Sequence, residues 1–263
     1  MTAIQGTALV TGASGGIGQE IARALAARGA QVVLTGRRAD VLEPLAQELR
    51  GRALAIDLAE RDAVQRLVEQ AGEVELLIAN AALPGTGMLD DFTVAEVDRA
   101  LDVNLRAPVL LAKLLGEQMA RRGHGHIVFI SSLSGKAASP RGALYSATKF
   151  GMRGFALSLR EDLKASGVGV STIFPGFIRD AGMWVNAGAS LPKGVGTRSP
   201  QDVAAGVVRA IERNRAELDV APLGLRVGAA LAGLAPELSA RVSHLLGGTR
   251  IAEALAEGHR ENR

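Results

Sequence analysis

Short apolar runs recur along the chain, and each is followed by a longer stretch in which apolar residues return every three or four positions. The runs are Thr7–Thr11, Gln31–Thr35, Ala53–Ile56, Leu76–Asn80, His126–Ser131, Gly169–Phe174 and, more weakly, Leu218–Ala221. Segments such as Ala8-Leu9-Val10 and Leu76-Leu77-Ile78 lack polar alternation, as strands covered on both faces do. The stretches between them, Gly16–Arg28, Ala39–Arg50, Arg61–Gln70, Val94–Arg121, Tyr145–Ala165 and Pro200–Arg213, carry the period of amphipathic helices. Regular alternation of strand and helix predicts an α/β fold, a doubly wound parallel sheet with helices on both faces.

Two regions break the rhythm. Ala181–Arg198 is irregular and glycine-rich, with Pro192; a connection of that length in a compact domain reads as a functional lid. From Pro222 the alternation stops, and an Ala/Leu/Gly-rich helical segment ends in a charged tail. Residues 1–263 are therefore expected to form one domain, a core over about 6–221 with a helical extension over 222–263.

Composition narrows the function classes. The chain has 263 residues, 48% of them hydrophobic but only 3% aromatic, so the core must be built from Ala, Val, Leu and Ile. No cysteine is present, which excludes disulfides, thiolate metal sites and a cysteine nucleophile; no metal is expected. The formal net charge is +3 and the basic residues are dispersed, unlike the clustered surface that nucleic acid requires. The N-terminus lacks a basic leader followed by an apolar segment. No apolar stretch approaches the roughly 18 residues of a membrane span. A cytoplasmic protein is expected.

Candidate chemistry begins after the first strand, at Thr11-Gly12-Ala13-Ser14-Gly15-Gly16-Ile17-Gly18. Glycines at a strand-to-helix junction let the backbone turn tightly and approach a pyrophosphate, which the helix N-terminus attracts through free N–H groups and its dipole. Gly12, Ser14, Gly15, Gly16, Ile17 and Gly18 are thus candidate dinucleotide ligands. At the end of the second strand, where an acid would hold the adenosine ribose, the chain has Gly36-Arg37-Arg38, and Asp40 comes later. Arg37 and Arg38 suit a 2′-phosphate, which favours NADP(H) over NAD(H).

Tyr145 and Lys149 are four residues apart in Tyr-Ser-Ala-Thr-Lys, a spacing that places both on one helix face. A nearby ammonium is expected to lower the phenol's pKa from its ordinary value near 10, so that Tyr145 exchanges a proton with a carbonyl or alcohol oxygen. The fifth strand ends in Ser131-Ser132, at the sheet edge where α/β folds bind ligands. A serine hydroxyl there can hydrogen-bond the same oxygen.

Taken together, these motifs resemble the short-chain dehydrogenase/reductase family, whose fold is Rossmann-like, over roughly Gly6 to Ala221. The resemblance extends to Asp57 after the third strand, Asn80-Ala81-Ala82 after the fourth, Asn104, and Pro175-Gly176. It implies that Ser132, thirteen residues before Tyr145, orients the substrate, that Tyr145 is the acid/base, and that Lys149 is its electrostatic partner and a ribose ligand. It implies that Asn104 holds a water in a proton relay leading to Lys149. Asp57 would bond the adenine amino group and Leu58 contact the ring, with Asn80 and Ala81 beside the adenosine ribose. Pro175, Gly176 and Ile178 would border the nicotinamide. The chain departs from the family at Ala82, which replaces a glycine, and at Asp180, which replaces a threonine that bonds the carboxamide. A carboxylate there can accept from the amide but cannot donate.

The lid supplies Phe177, Met183, Trp184, Val185 and Leu191, joined by Leu133 and Leu144; an apolar pocket with one polar reactive point suits a hydrophobic carbonyl or alcohol substrate. The extension, Leu223–Leu246, is expected to cover that cleft or to pack in an oligomer. Its basic residues are too few for a membrane-surface helix. The resemblance implies a homodimer or homotetramer with the helices around Asn104 and Tyr145 at an interface. The alternative function is a dinucleotide-binding sensor or scaffold without catalysis.

Overall fold

Seven strands form one parallel sheet: β1 (Thr7–Thr11), β2 (Gln31–Gly36), β3 (Arg52–Ala55), β4 (Leu76–Ala79), β5 (Gly125–Ile130), β6 (Val168–Pro175) and β7 (Glu217–Val220). The structure, a computed structural model, describes residues 4–186, 188, 195–237, 253 and 256–258, apart from the side chains of Trp184 and Asn186. The strand order is β3-β2-β1-β4-β5-β6-β7. The chain winds outward from β1 to β3, returns to β4 on the other side of β1, and then winds the opposite way. That reversal opens a cleft beyond the carboxyl ends of β1 and β4, where such sheets bind ligands.

Alternate strand residues feed two separate cores. Ala8, Val10, Leu76 and Ile78 pack with Ile21 and Leu25 of α1 (Gly16–Ala26), Leu42 of α2 (Ala39–Glu48) and Val203 and Val207 of α8 (Pro200–Glu212). Leu9, Leu77, Ile127 and Phe129 pack on the opposite face with Leu67 of α3 (Ala63–Ala71), Leu111 of α5 (Ala107–Arg122) and Met152 of α6 (Ala143–Leu163). β4 and β6 are buried along their whole lengths, which is why their sequences show no polar alternation. The remaining helices are α4 (Val94–Leu101), the short α7 (Met183–Asn186) and α9 (Leu223–Leu234).

The predicted continuous helix over Val94–Arg121 is two helices. A π-helical turn, Asp102–Arg106, separates α4 from α5, and Ala107 N–H bonds Asp102 O, five residues back. Pro108 supplies the physical reason. It has no N–H to donate to the carbonyl of Asn104, four residues earlier, so the regular ladder cannot run through this point. The extension is helical from Leu223 to Leu234 and stops before Pro236; most of its later residues lie outside the described ones. No helix among the described residues is long and apolar enough to cross a membrane.

Candidate functional site

The glycine loop turns between β1 and α1 at the mouth of the cleft. Gly12 has φ +65°, and a Cβ there would come within 2.8 Å of Ala81 Cα. At Gly18 a Cβ would lie 2.4 Å from Gly12 O, so this residue lets the helix start close against the strand. Asn80 staples the loop to β4: its Nδ2 donates to Thr11 O at 2.9 Å and to Gly12 O at 3.2 Å. Thr11 Oγ1 accepts from the N–H groups of Asn80 and Ala81, both at 3.0 Å. Asn80 and Ala81 are thereby committed to shaping the loop.

The loop has the features a dinucleotide needs. Gly15 caps α1 with no side-chain hydrogen bond, leaving the helix N-terminus to an anion. A Cβ on Gly15 would meet nothing nearer than Gly12 O at 3.5 Å, so the space over the loop is open. On the far side of Gly16 and Ile17 lie Ala181 and Gly182, which bring the start of the irregular segment down onto the loop. Ser14 packs beside Gly36. The guanidinium of Arg38 donates to Ser14 O, and both Arg37 and Arg38 are exposed. These residues fit a phosphorylated dinucleotide.

On the adenosine side, Asp57 and Leu58 both have partners within the protein. Asp57 is already engaged, because its Oδ2 accepts from Arg99 at 2.8 Å and its Oδ1 from Ala59 N at 3.0 Å. Burial alone would raise this carboxyl, but those hydrogen bonds and the charges of Arg99 and Arg37 hold it below the ordinary value. Leu58 is buried and belongs to the core beside Val64 and Leu67. Arg99 has no local sequence signal, since it lies 42 positions from its partner.

The carboxyl end of β5 and the first turns of α6 carry the candidate reacting groups. Ser132 is extended and opens a 3-10 turn, Leu133–Gly135; its Oγ accepts from Ser134 N at 3.1 Å. The side chains of Ser132 and Tyr145 share a hydrogen bond. Lys149 is buried; its Nζ donates to Ile130 O at 3.1 Å and stands 5.5 Å from the centroid of the Tyr145 ring. The turn is seated on α6 from below. Ser131 Oγ donates to Lys149 O at 3.3 Å, and a Cβ at Gly135 would reach within 2.8 Å of that same carbonyl. Ser131, the neighbouring candidate for the substrate serine, is therefore part of the seat.

Electrostatics here run against the expectation that Lys149 lowers the phenol. Burial pushes Tyr145 up to about 12, opposed by the hydrogen bond from Ser132, and burial brings Lys149 down to about 8. Phenolate and ammonium are both charged forms that lose hydration in this enclosed place, and that loss sets the direction of both shifts.

Asn104 stands on the π-helical turn. Its Oδ1 accepts from Leu83 N at 2.6 Å, and its Nδ2 donates to Leu83 O at 2.9 Å. The side chain thus holds the segment after β4. Two residues on, Gly85 O accepts from Tyr145 N at 3.3 Å. Asn104 consequently supports Tyr145 through the backbone of residues 83–85.

Beyond β6, Gly176 N–H bonds Val220 O at 3.0 Å, and a Cβ on Gly176 would lie 2.9 Å from that of Ala221. Ile178 is buried in the first core and bridges to Arg198. Asp180 adopts φ +67° and is exposed, with Arg179 at 3.5 Å. Leu144 is buried, Leu133, Phe177 and Met183 are half-buried, and Val185 is exposed; Leu191 and the side chain of Trp184 lie outside the described residues.

Comparison with known proteins agrees with this architecture. Residues 6–191 match the family model described as short chain dehydrogenase. The chain is 36% identical over 230 residues to the ketoacyl reductase HetN of a Nostoc species, covering 84% of this chain and 80% of that one. It is 34% identical over 254 residues to dehydrogenase/reductase SDR family member 7B of Xenopus laevis, covering 88% and 78%. Among solved structures it resembles a short-chain dehydrogenase from Sphingobium yanoikuyae in complex with NADPH, with a TM-score of 0.77, 28% identity, and coverage of 88% and 94%. With a Rossmann-type sheet, a glycine loop at its reversal point and a match over most of its length, the chain belongs to the short-chain dehydrogenase/reductase family of oxidoreductases.

Proposed function

We propose that this protein is an NADP(H)-dependent enzyme that interconverts a hydrophobic carbonyl compound and its alcohol. The observation that carries the reading is the convergence of Ser132, Tyr145 and Lys149 at the carboxyl edge of the sheet, beside the glycine loop. When bound, the dinucleotide supplies or accepts the hydride. The residues manage the oxygen. Ser132 orients it by hydrogen bonding, and Tyr145 donates a proton to it in reduction or accepts one in oxidation. With its phenol raised in the free protein, Tyr145 rests as an acid, ready for reduction. Lys149 provides the positive charge that offsets the phenolate left behind.

Arg37 and Arg38 support the preference for NADP(H), because no carboxylate stands between them and the end of β2. A charged hydrogen bond contributes about 1.5–3 kcal/mol, or roughly 10- to 100-fold in affinity. The half-buried apolar residues Leu133, Phe177 and Met183 support a hydrophobic substrate. The Nostoc relative is named for a ketoacyl substrate of that character. A homo-oligomer is supported by Phe150 and Leu157, exposed on α6; nearby, a depression on α4, the π-helical turn and α5 mixes Leu101, Leu105, Val109 and Leu110 with Arg61, Asp98, Asp102 and Arg106.

The test is oxidation of NADPH, with NADH in parallel, against apolar ketones, aldehydes and quinones. Turnover with NADPH preferred is expected. The Tyr145→Phe variant should lose about 10²- to 10⁴-fold in kcat, the usual worth of acid/base assistance. A variant as fast as the parent would remove Tyr145 from the reaction. A parent inert across the panel yet binding NADPH would instead indicate a dinucleotide sensor.

A further inference from the structure

A cluster of charged side chains gathers just beyond the Ser132 turn, and none of them has a place in the chemistry described above. Lys136 ends the turn; its side chain is 13% exposed, and its Nζ stands 2.7 Å from Asp219 Oδ1 and 3.1 Å from Glu217 Oε2. Arg153 lies on α6, four and eight residues beyond Lys149 and Tyr145 and so on their face of the helix. Its Nε and Nη2 donate to the two oxygens of Glu217 at 2.6 and 3.2 Å. Both cations also approach the ring of the buried Phe174, Lys136 at 4.1 Å and Arg153 at 5.8 Å from its centroid. Glu217 and Asp219 are alternate residues of β7 and so project from one side of it.

We propose that Lys136 is a positioning residue. Through Glu217 and Asp219 it ties the turn that carries Ser132 to the helix that carries Tyr145 and Lys149, and so sets the separation of the two hydroxyls that meet the substrate oxygen. The inference rests on the Ser132–Tyr145–Lys149 reading of the site. Its physical basis is the way the turn is held. On one side Ser131 and Gly135 seat the turn on the Lys149 carbonyl. That seat includes one 3.3 Å hydrogen bond and a close packing contact at Gly135. Lys136 fixes the other end of the turn to carboxylates that α6 also grips through Arg153. Arg226 also reaches Asp219, with Nε 4.0 Å from Oδ2, so three cations face the two carboxylates, and the partial burial of Lys136, Glu217 and Asp219 limits screening by solvent. The ion pairs span 64 to 83 residues of sequence, from the turn and the helix to the last strand, yet they converge on the short segment between Ser132 and Arg153.

Lys136→Met and Lys136→Arg discriminate this role from simple support of the fold. With the best ketone of the panel, Lys136→Met should lower kcat about 10- to 100-fold, the scale expected for reacting groups displaced by about an ångström. The dissociation constant for NADPH, read by fluorescence, should stay within about two-fold, because the glycine loop is not attached to this cluster. Lys136→Arg keeps the charge and should recover most of the lost kcat. The proposal is overturned if folded Lys136→Met turns over at the parent rate. It is also overturned if kcat and NADPH affinity fall together and arginine restores neither. Should Lys136→Met fail to fold, Asp219→Asn, which removes the shorter of the two ion pairs, takes its place with the same split expected. Tyr145→Phe is assayed alongside. Full activity there sinks the reading of the centre itself, whereas loss there with an unaffected Lys136→Met sinks only the positioning role.

Discussion

His126 shows how far burial can move a single residue. It is the second residue of β5, 6% exposed, with Nε2 2.8 Å from Ser171 Oγ, which in turn donates to Arg215 O at 2.6 Å. That chain leaves the serine a lone pair to accept from Nε2–H. Burial, helped by the charge of Arg160, lowers its pKa from 6.5 to about 4. The folded state thus binds this proton less readily than the unfolded chain does. Its contribution to stability is complete above pH 6.5 and is lost as pH falls from there toward 4. A shift of this size corresponds to at most about 3 kcal/mol. Thermal melting between pH 7 and 4.5 should therefore decline more steeply for the parent than for His126→Gln. Parallel curves would show that His126 does not titrate in this way. The same rule raises Tyr145 and lowers Lys149, and neither could be read from their four-residue spacing, which reports proximity but not hydration.

Among the elements, the π-helical turn was the hardest to foresee and has the widest structural effect. Hydrophobic spacing across residues 94–121 fits one helix, because one extra residue in a single turn barely disturbs the apolar face. Pro108 was the one local sign of a break. Strands were legible because burial on both faces leaves runs of Val, Ile and Leu, and their ends moved by only a residue or two. The glycine loop and the Tyr–Lys pair were legible because their chemistry demands short fixed spacings. Arg99, Lys136 and the Leu83 partnership of Asn104 were not, since each joins segments 21 or more residues apart. The turn itself yields a prediction. Replacing Asn104 with alanine leaves Leu83 N–H and C=O buried without their partners, at about 1–3 kcal/mol each. Asn104→Ala should lower urea-unfolding stability by about 2–5 kcal/mol, and a loss below 1 kcal/mol would show that residues 83–85 do not depend on it.

At the scale of the whole molecule, the sheet reversal divides labour between its two halves. Strands β1 to β3 present the glycine loop, Arg37, Arg38 and Asp57, while β4 to β7 present the serine, the phenol, the ammonium and the ion cluster. The outer face of α4 to α6 belongs to neither half, and Phe150 and Leu157 are exposed on it. Charge placed on that face should disperse an assembly built on it. Phe150→Glu is expected to reduce the mass seen by light scattering to that of one chain, with a melting temperature within a few degrees of the parent's. An unchanged mass would place any contact between copies elsewhere.

Tyr145 is the chain's only tyrosine, and it sits in the cleft beside Ser132. Ultraviolet difference bands of phenolate, intrinsic tyrosyl emission and nitration of phenols thus all originate at one place in this molecule. No other phenol contributes to these signals, so the ionisation of a single candidate acid can be followed by difference absorption in the intact protein while coenzyme or inhibitor is added.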